Sequence, residues 1–417
     1  MSRKSGRSGQ RTALSVRGVA SAAVLAVAGV SLGWLSFKSA MVATLPVSSS
    51  EIARFAPEYP DVVLGRTATR LVAQHGILDA QTLDAVRRAA ATAPLDARAY
   101  LILGHQQLLD NAPDRAVATL EAGQRLDPRQ RLIHLLLLDR YLRTARYADA
   151  ATQFSVLARV LGATQAPIAT AMAQMTMAPE TRDAVRRTLN TDPVLERAVL
   201  IALAKSDTAP DAIFALASPA ARADAANAES WGPVLVNRLV EHGQYTAARS
   251  VWQRIYGLSS AQAAMPITNA GFRATKAAPP FDWMLTASSL GAADLRGGSL
   301  AIEYYGRDSG DLARQLLVLQ PGRYRFGVTV DPGKTDATAK LYWSLACKTA
   351  ASDKPDPLMT LPVTATAKPH RIAADIMVPA HCPTQILTLR GEAGEFPSPL
   401  SVTLRDLDLR PVPDSKP

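Results

Sequence analysis

Residues 94–128 read PLDARAYLILGHQQLLDNAPDRAVATLEAGQRLDP, and the proline that opens this stretch returns 34 positions later at its end. Small residues at Gly104 and Ala116 allow two antiparallel helices to approach closely, and Tyr100 and Leu120 are placed to fill the space between them. Pro128 is expected to end the second helix, because a proline ring cannot continue it. The stretch therefore predicts a packed helix pair.

The same register returns on both sides of this stretch. Ala116 is followed 34 residues later by Ala150, and Leu120 by Phe154. Helix pairs with this period are typical of tetratricopeptide (TPR) repeats. The chain resembles that family most clearly over 63–164 and more weakly over 165–265, where Gly243-Gln244-Tyr245 repeats the turn. The resemblance implies an α-solenoid that binds partners, and the alternative is a generic helical bundle.

The N-terminal segment has the properties of a membrane anchor. Residues 18–37, GVASAAVLAVAGVSLGWLSF, contain no charge and as a helix would be about 30 Å long, enough to span a bilayer. Five cations precede this run, which places the N-terminus in the cytoplasm and the bulk of the chain outside. A cleaved signal peptide is the alternative, although the apolar run is longer than that class requires. The Ala- and Arg-rich composition suggests a bacterial protein and hence the periplasm.

The net charge of +10 belongs mostly to this tail. Residues 1–38 hold six of the 46 basic residues and no acid, which leaves 40 basic residues against 36 acidic ones in the remainder. A nucleic-acid partner is therefore not expected.

From residue 279 onward the hydrophobic period changes from helical to two. Seven or eight short runs separated by Gly, Pro and Asp turns predict an antiparallel β-sandwich of jelly-roll type. The two cysteines of the chain, Cys347 and Cys382, both lie here, and an oxidising compartment permits a disulfide between them. Two unrelated buried thiols are the alternative.

Residues 314–326, RQLLVLQPGRYRF, resemble the signature strand pair of galactose-binding-like jelly rolls, which include carbohydrate-binding modules. The segments at 281–283 and 402–409 resemble the first and last strands of such modules. The resemblance implies sugar binding through exposed aromatic rings that stack on pyranose C–H groups. The candidate glycan contacts are Trp283, Tyr304, Tyr305 and Tyr342. Strand alternation places Trp343 in the core and allows only one of Tyr304 and Tyr305 to face inward.

These patterns together predict a multidomain α-then-β protein. It has a single N-terminal transmembrane helix, an α-helical TPR-like solenoid and a C-terminal antiparallel β-sandwich. The expected boundaries are a basic tail (1–17), a membrane span (18–37), a linker (38–62), repeats (63–164), a degenerate helical region (165–265), a second linker (266–278), the sandwich (279–412) and a short tail (413–417).

Catalytic motifs are not evident in the sequence. The six histidines show no metal-ligand spacing, and the phosphate- and nucleotide-binding glycine patterns are missing. Acids such as Glu303 and Asp406 are typical of an outer strand face, so a glycosidase pair is disfavoured, and neither a metal nor a cofactor is expected. A binding groove on the first helices of the repeats is preferred, lined by Arg98, Leu101, His105, Leu108, Leu132, Leu135, Asp139 and Arg143. Its mixture of leucine and charge suits a peptide or helix from a protein partner.

The hypothesis that follows is a non-enzymatic, inner-membrane-anchored periplasmic scaffold. It would bind protein through the repeats and polysaccharide through the sandwich, in support of surface polysaccharide synthesis or export. The alternative is an assembly factor with a protein client, similar to the TPR subunit of cytochrome c maturation, although that subunit has two membrane segments where this chain has one.

Overall fold

A computed structural model describes residues 30–41, 44, 46, 54–73, 76–162, 166–332, 339–348, 357–364 and 366–413. The chain divides into two compact units, Met1–Ile168 with Ala178–Thr188, and Ala169–Met177 with Leu189–Pro417. Most of the predicted membrane span at 18–37 lies outside the described residues, and residues 30–41 are helical. In the part of the chain that is described, no helix is both long and apolar enough to cross a bilayer.

Antiparallel helix pairs build the first unit. Six of its helices are α1 (Pro60–Ala73), α2 (Ala80–Thr92), α3 (Ala97–Leu109), α4 (Pro113–Leu126), α5 (Arg131–Arg143) and α6 (Tyr147–Leu161). The turns α3–α4 and α5–α6 are alike, since Asn111 and Ala145, 34 residues apart, both have a φ of 56°. In each turn the next residue donates its N–H to a carbonyl five residues back, as in a Schellman cap. The 34-residue step is therefore a structural repeat.

Close contact between α3 and α4 depends on two glycines. A β-carbon added at Gly104 would lie 2.7 Å from Leu120 of the opposite helix. One added at Gly123 would lie 2.7 Å from the β-carbon of Tyr100 and 2.9 Å from Ile133. Tyr100 and Leu120 thus occupy the space between the helices, as the sequence pattern predicts.

Four of the eight helices that follow begin at a proline. The eight are α7 (Ala166–Met175), α8 (Pro179–Leu189), α9 (Pro193–Lys205), α10 (Pro210–Leu216), α11 (Pro219–Ala223), α12 (Trp231–Glu241), α13 (Tyr245–Tyr256) and α14 (Ser260–Ala263). Proline suits the first turn of a helix, where its missing N–H costs nothing and its φ is already helical. The repeat turn returns between α12 and α13, where Gly243 has a φ of 71° and Gln244 donates to the carbonyl of Leu239.

Two antiparallel sheets form the rest of the second unit. Their strands are β1 (Met284–Leu285), β2 (Ala287–Ser288), β3 (Gly291–Arg296), β4 (Ser299–Tyr304), β5 (Gly310–Leu317), β6 (Gly322–Val330), β7 (Lys340–Cys347), β8 (Pro357–Val363), β9 (His370–Val378), β10 (Gln385–Glu392) and β11 (Leu400–Pro411). One sheet has the order β1-β5-β10-β7-β8 and the other β2-β3-β4-β11-β6-β9. Their facing sides share one core around Trp343, Phe326 and Tyr304, so the predicted α-then-β order and sandwich are confirmed.

The disulfide predicted between Cys347 and Cys382 is present. It joins the last residue of β7 to the turn that precedes β10. Because β7 and β10 are neighbours in the sheet, with Gln385 opposite Cys347, the bond closes a segment that the strand pairing already brings together.

The segment 266–278, expected to be a linker, packs on the sandwich. Ile267 and Phe272 are 2% and 0% exposed and belong to the sandwich core. Thr268 exchanges two hydrogen bonds with Gln315 of β5, at 3.2 Å through its N–H and 2.9 Å through its carbonyl. Burial of Ile267 and Phe272 removes apolar surface from water, and this stabilises the contact between the segment and the sheet.

Helix α13 contacts the start of the sandwich directly. The indole N–H of Trp252 donates to the carbonyl of Ala278 at 2.7 Å, and its ring lies 5.8 Å from that of Phe281. The guanidinium of Arg249 lies 5.9 Å from the same Phe281 ring and donates to the carbonyl of Met265. Burial lowers the pKa of Arg249. The sandwich and the helices before it are thus joined by packed side chains.

Candidate functional site

The predicted repeat groove is partly filled by the protein itself. Arg98 is half-buried and pairs with the carboxylates of Asp96 and Asp61. Leu101, with 1% of its surface exposed, is a core residue and presents no side chain to a ligand. The imidazole of His105 lies over Gly76, where an added β-carbon would meet it at 2.2 Å. Burial lowers the pKa of His105.

The outer end of the predicted groove is more accessible. Leu135 of α5 is 45% exposed, and Leu108 and Leu132 are half-buried. Asp139 and Arg143, one helical turn apart, form an exposed ion pair with 2.8 Å between Oδ2 and Nε. These residues leave a short exposed face on α5 that mixes an apolar side chain with charge.

Two of the four predicted glycan contacts are core residues. Trp283 is 6% exposed, lies 5.8 Å from Trp343 ring to ring, and donates its indole N–H to the carbonyl of Asn269 at 3.1 Å. Tyr304 is fully buried and donates its hydroxyl to the carbonyl of Asp308 at 2.8 Å. Burial raises the pKa of Tyr304. Neither ring presents a face to solvent, so the structure gives both a packing role where glycan contact was expected.

The other two tyrosines are accessible and lie in different parts of the sandwich. Tyr305, 39% exposed, follows β4 in the six-stranded sheet. Tyr342 of β7 is half-buried and alternates with the core residues Leu341 and Trp343, which places it on the outer face of the five-stranded sheet.

Polar side chains accompany Tyr342 on this outer face. Arg390 of β10 stands directly opposite Tyr342 and pairs with Asp311 of β5 at 3.0 Å. The next row, about 6.6 Å further along the strands, contains Thr360, Ser344, Thr388 and Arg314 in register across four strands. We call these two rows the Tyr342 face. One aromatic ring beside two guanidinium groups, a carboxylate and three hydroxyls is a composition that suits sugar hydroxyls and C–H faces.

A pocket of about 190 Å3 borders the Tyr342 face at Arg314. Leu316 and Ile386 of the sheet line it, and Val240 of α12 covers it. Helix α12 therefore lies against the outer face of the sheet beyond the row of Ser344. The sequence alone did not reveal Arg390, Asp311 or Thr388, because their strand alternation becomes informative only when the sheet order is known.

Comparison with known proteins finds partial similarity to solved structures. No protein family matches the sequence. No curated protein matches it either. Among solved structures, the N-terminal cellulose-binding domain of β-1,4-glucanase C from Cellulomonas fimi is 14% identical, with a TM-score of 0.26 over 36% of this chain and 100% of its own. YrrB, a TPR protein with an unusual peptide-binding site, is 15% identical, with a TM-score of 0.23 over 42% of this chain and 92% of its own. A MamA mutant is 11% identical, with a TM-score of 0.24 over 48% of this chain and 97% of its own.

Proposed function

We propose that this chain is a non-enzymatic binding protein, anchored in the bacterial inner membrane by residues 18–37, whose periplasmic part connects a polysaccharide to a protein complex. Its task is to support the synthesis or export of a surface polysaccharide. The observation that carries the proposal is the Tyr342 face, where one accessible ring stands in register with Arg390 and beside hydroxyl-bearing neighbours.

The sugar would stack a C–H face on the Tyr342 ring and donate hydroxyl hydrogens to Asp311, while Arg390 donates to sugar oxygens. The Arg390–Asp311 pair holds both polar groups in place before the sugar arrives, which reduces the entropy lost on binding. A neutral or weakly acidic polysaccharide fits this mixture of charges.

Affinity electrophoresis of the full chain in detergent through gels that contain bacterial polysaccharides tests this half of the proposal. Tyr342→Ala is expected to weaken retention about tenfold, since stacking on an aromatic ring contributes about 0.5–1.5 kcal/mol beyond the buried area. Tyr305→Ala is the matched control, because it removes an accessible tyrosine from another part of the sandwich. Equal retention of the two variants, or no retention of the unaltered chain by any polysaccharide, would refute a glycan-binding role for this face.

Localisation is tested separately. Alkaline phosphatase, which is active only in the periplasm, is fused after residue 60 and, in a second fusion, after residue 10. The proposal requires activity from the first fusion and none from the second. Activity of both fusions, or release of the first from the membrane fraction by cleavage, would contradict an uncleaved anchor.

A protein client in place of a polysaccharide is the second candidate, as in an assembly factor similar to the TPR subunit of cytochrome c maturation. The exposed Leu135 with the neighbouring Asp139–Arg143 pair favours it, since an apolar side chain beside charge suits a helix or peptide. Capture of apocytochrome tails by the full chain, abolished in Leu135→Asp, would support this reading. Unchanged haem-protein levels in a deletion strain would exclude it.

A further inference from the structure

Helices α4, α5 and α6 of the first unit enclose a cleft of about 900 Å3. His134 and Tyr141 of α5 line it, two helical turns apart and therefore on one side of that helix. Leu135 and Asp139 of the predicted groove are turned from His134 by about 100° and 140°, at 100° per residue. The cleft is therefore a second surface, on another side of α5 from Leu135 and Asp139.

Buried hydrogen bonds fix the floor of the cleft. His134 is fully buried, and its ring nitrogens contact the amide oxygen of Gln153 at 2.6 Å and the carbonyl of Pro128 at 2.9 Å. These contacts join α5 to α6 and to the loop between α4 and α5. These buried contacts hold the three helices and the loop at Pro128 in fixed positions around the cleft.

The two carboxylates of the cleft already have partners. Glu121 accepts the hydroxyl of Tyr141 at 2.8 Å, which contributes, after burial, to raising the pKa of that phenol. Asp149 accepts Nε of Arg146 at 2.7 Å, and the Arg146 guanidinium lies 4.3 Å from the Tyr141 ring and 3.6 Å from Glu121. One arginine therefore satisfies both acids.

Three further arginines line the same cleft with no acid to balance them. Arg125, Arg129 and Arg159 are exposed, and none of them forms an ion pair with any residue that the structure describes. Guanidinium groups that converge on one cleft repel each other until an anion arrives, and each matches a carboxylate with two parallel hydrogen bonds. The cleft thus attracts an anionic ligand.

The walls favour a peptide over a sugar. Tyr141 supplies the only phenol or indole ring among the described lining residues, and Arg146 already covers it, so no free aromatic face remains on which a pyranose could stack. Val156 and Val160 of α6 provide an apolar wall beside the arginines. We propose that this cleft binds an acidic peptide segment of a partner protein, whose carboxylates pair with Arg125, Arg129 and Arg159 while an apolar side chain contacts Val156 and Val160.

Fluorescence anisotropy of the full chain in neutral detergent, with a labelled peptide of alternating glutamate and leucine, tests this inference. The unaltered chain is expected to bind the peptide, and the affinity is expected to fall as salt is added, because exposed charge pairs are screened. The triple variant Arg125→Gln, Arg129→Gln, Arg159→Gln is expected to bind about tenfold more weakly, since three exposed charge pairs are lost together.

The matched control is a variant with Arg70→Gln, Arg88→Gln and Arg115→Gln, which removes the same charge from exposed positions of the first unit outside the cleft. It is expected to bind like the unaltered chain. Val156→Glu, which adds a carboxylate to the cleft and leaves every arginine in place, is expected to weaken binding as the triple variant does.

Four outcomes overturn the inference. They are no binding of the acidic peptide by the unaltered chain, equal loss in the cleft and control triple variants, unchanged affinity in the cleft variant, and tighter binding of an acidic polysaccharide than of the peptide. The glycan assay on the Tyr342 face is a separate measurement in the other unit, so a failure here leaves that proposal intact, and the reverse also holds.

Discussion

The contact between Trp252 and the start of the sandwich gives the sharpest prediction of stability. Trp252 is 1% exposed, donates to the carbonyl of Ala278 and packs against Phe281, which is itself fully buried. If this contact joins helices and sandwich into one folding unit, Trp252→Ala must weaken the sandwich as well as α13. Trp231, also 1% exposed, packs instead against Phe214 and donates to the carbonyl of Ala221, so Trp231→Ala is the matched control.

The magnitude follows from the contacts. Replacement of a buried tryptophan by alanine costs about 3–5 kcal/mol, through lost apolar burial and the cavity that remains. Trp252→Phe keeps a ring near Phe281 but leaves the carbonyl of Ala278 without its donor, which costs about 1–3 kcal/mol. We therefore expect Trp252→Ala to lower the free energy of unfolding more than Trp252→Phe does.

Hydrogen exchange read by mass spectrometry locates the effect, because it reports strands and helices separately. In Trp252→Ala, the amides of β5 are expected to exchange faster, since Leu316 bonds to the carbonyl of Pro280 beside Phe281. In Trp231→Ala, they are expected to remain protected. Faster exchange in α13 with unchanged protection of β5 would refute the argument, because the helices and the sandwich would then open independently.

Three further predictions concern the repeats and the disulfide. Gly123→Ala is expected to destabilise the first unit by about 1–2 kcal/mol in urea unfolding, because crowding against Tyr100 exceeds the gain in helix propensity; greater stability would show that α3 and α4 can move apart freely. Burial lowers the pKa of His105 below its unfolded value of 6.5. The neutral imidazole therefore contributes its full stability to the fold above pH 6.5, and this stability is lost as the pH falls towards the folded pKa. Between about pH 7.5 and pH 5.5 the melting temperature of His105→Gln should therefore fall less than that of the unaltered chain, and parallel curves would contradict this. Reduction of the Cys347–Cys382 bond is expected to lower the free energy of unfolding by about 3–4 kcal/mol, because the unfolded chain gains the entropy that the closed 35-residue segment had lost. The Cys347→Ser, Cys382→Ser variant should have the same free energy of unfolding as the reduced protein.

The repeats were predictable because their signal is local. Gly104 and Leu120 lie on adjacent helices, and the 34-residue step repeats both the packing and the turn. At Ala145 it is the repeat register that indicates the turn, since an alanine by itself gives no sign of the positive φ that a glycine or asparagine would suggest.

Strands β8 and β3 lack a clear sequence signal, each for its own physical reason. In β8 prolines stand at positions 357 and 362, which argues against a strand, yet β8 lies at the edge of its sheet, where a missing N–H is tolerated. In β3 the run Gly291-Ala292-Ala293 is too small to show alternation, and only pairing with β4 makes it a strand.

The arginine-lined cleft could not be predicted from sequence spacing. Arg125, Arg129 and Arg159 come from a helix, a loop and another helix, and each by itself has the pattern of a solvated surface charge. Their convergence depends on how three helices pack around His134, which the spacing of residues along the sequence does not show. The same holds for Arg390 and Tyr342, which are 48 positions apart in the sequence and directly opposite in the sheet.

The two proposed contacts can be disabled separately, because each lies within one unit and depends on accessible side chains. A connector works only when both ends are engaged, so in cells Tyr342→Ala and the triple arginine variant should each reduce surface polysaccharide, and their combination should add little to the stronger of the two. Two independent binding functions would instead give additive losses in the combined variant. Polysaccharide yield per cell in the four strains distinguishes these cases, provided that immunoblots show equal amounts of each protein. Additive losses would refute the proposal that the protein connects its two ligands, but would not contradict either of the two proposed binding surfaces.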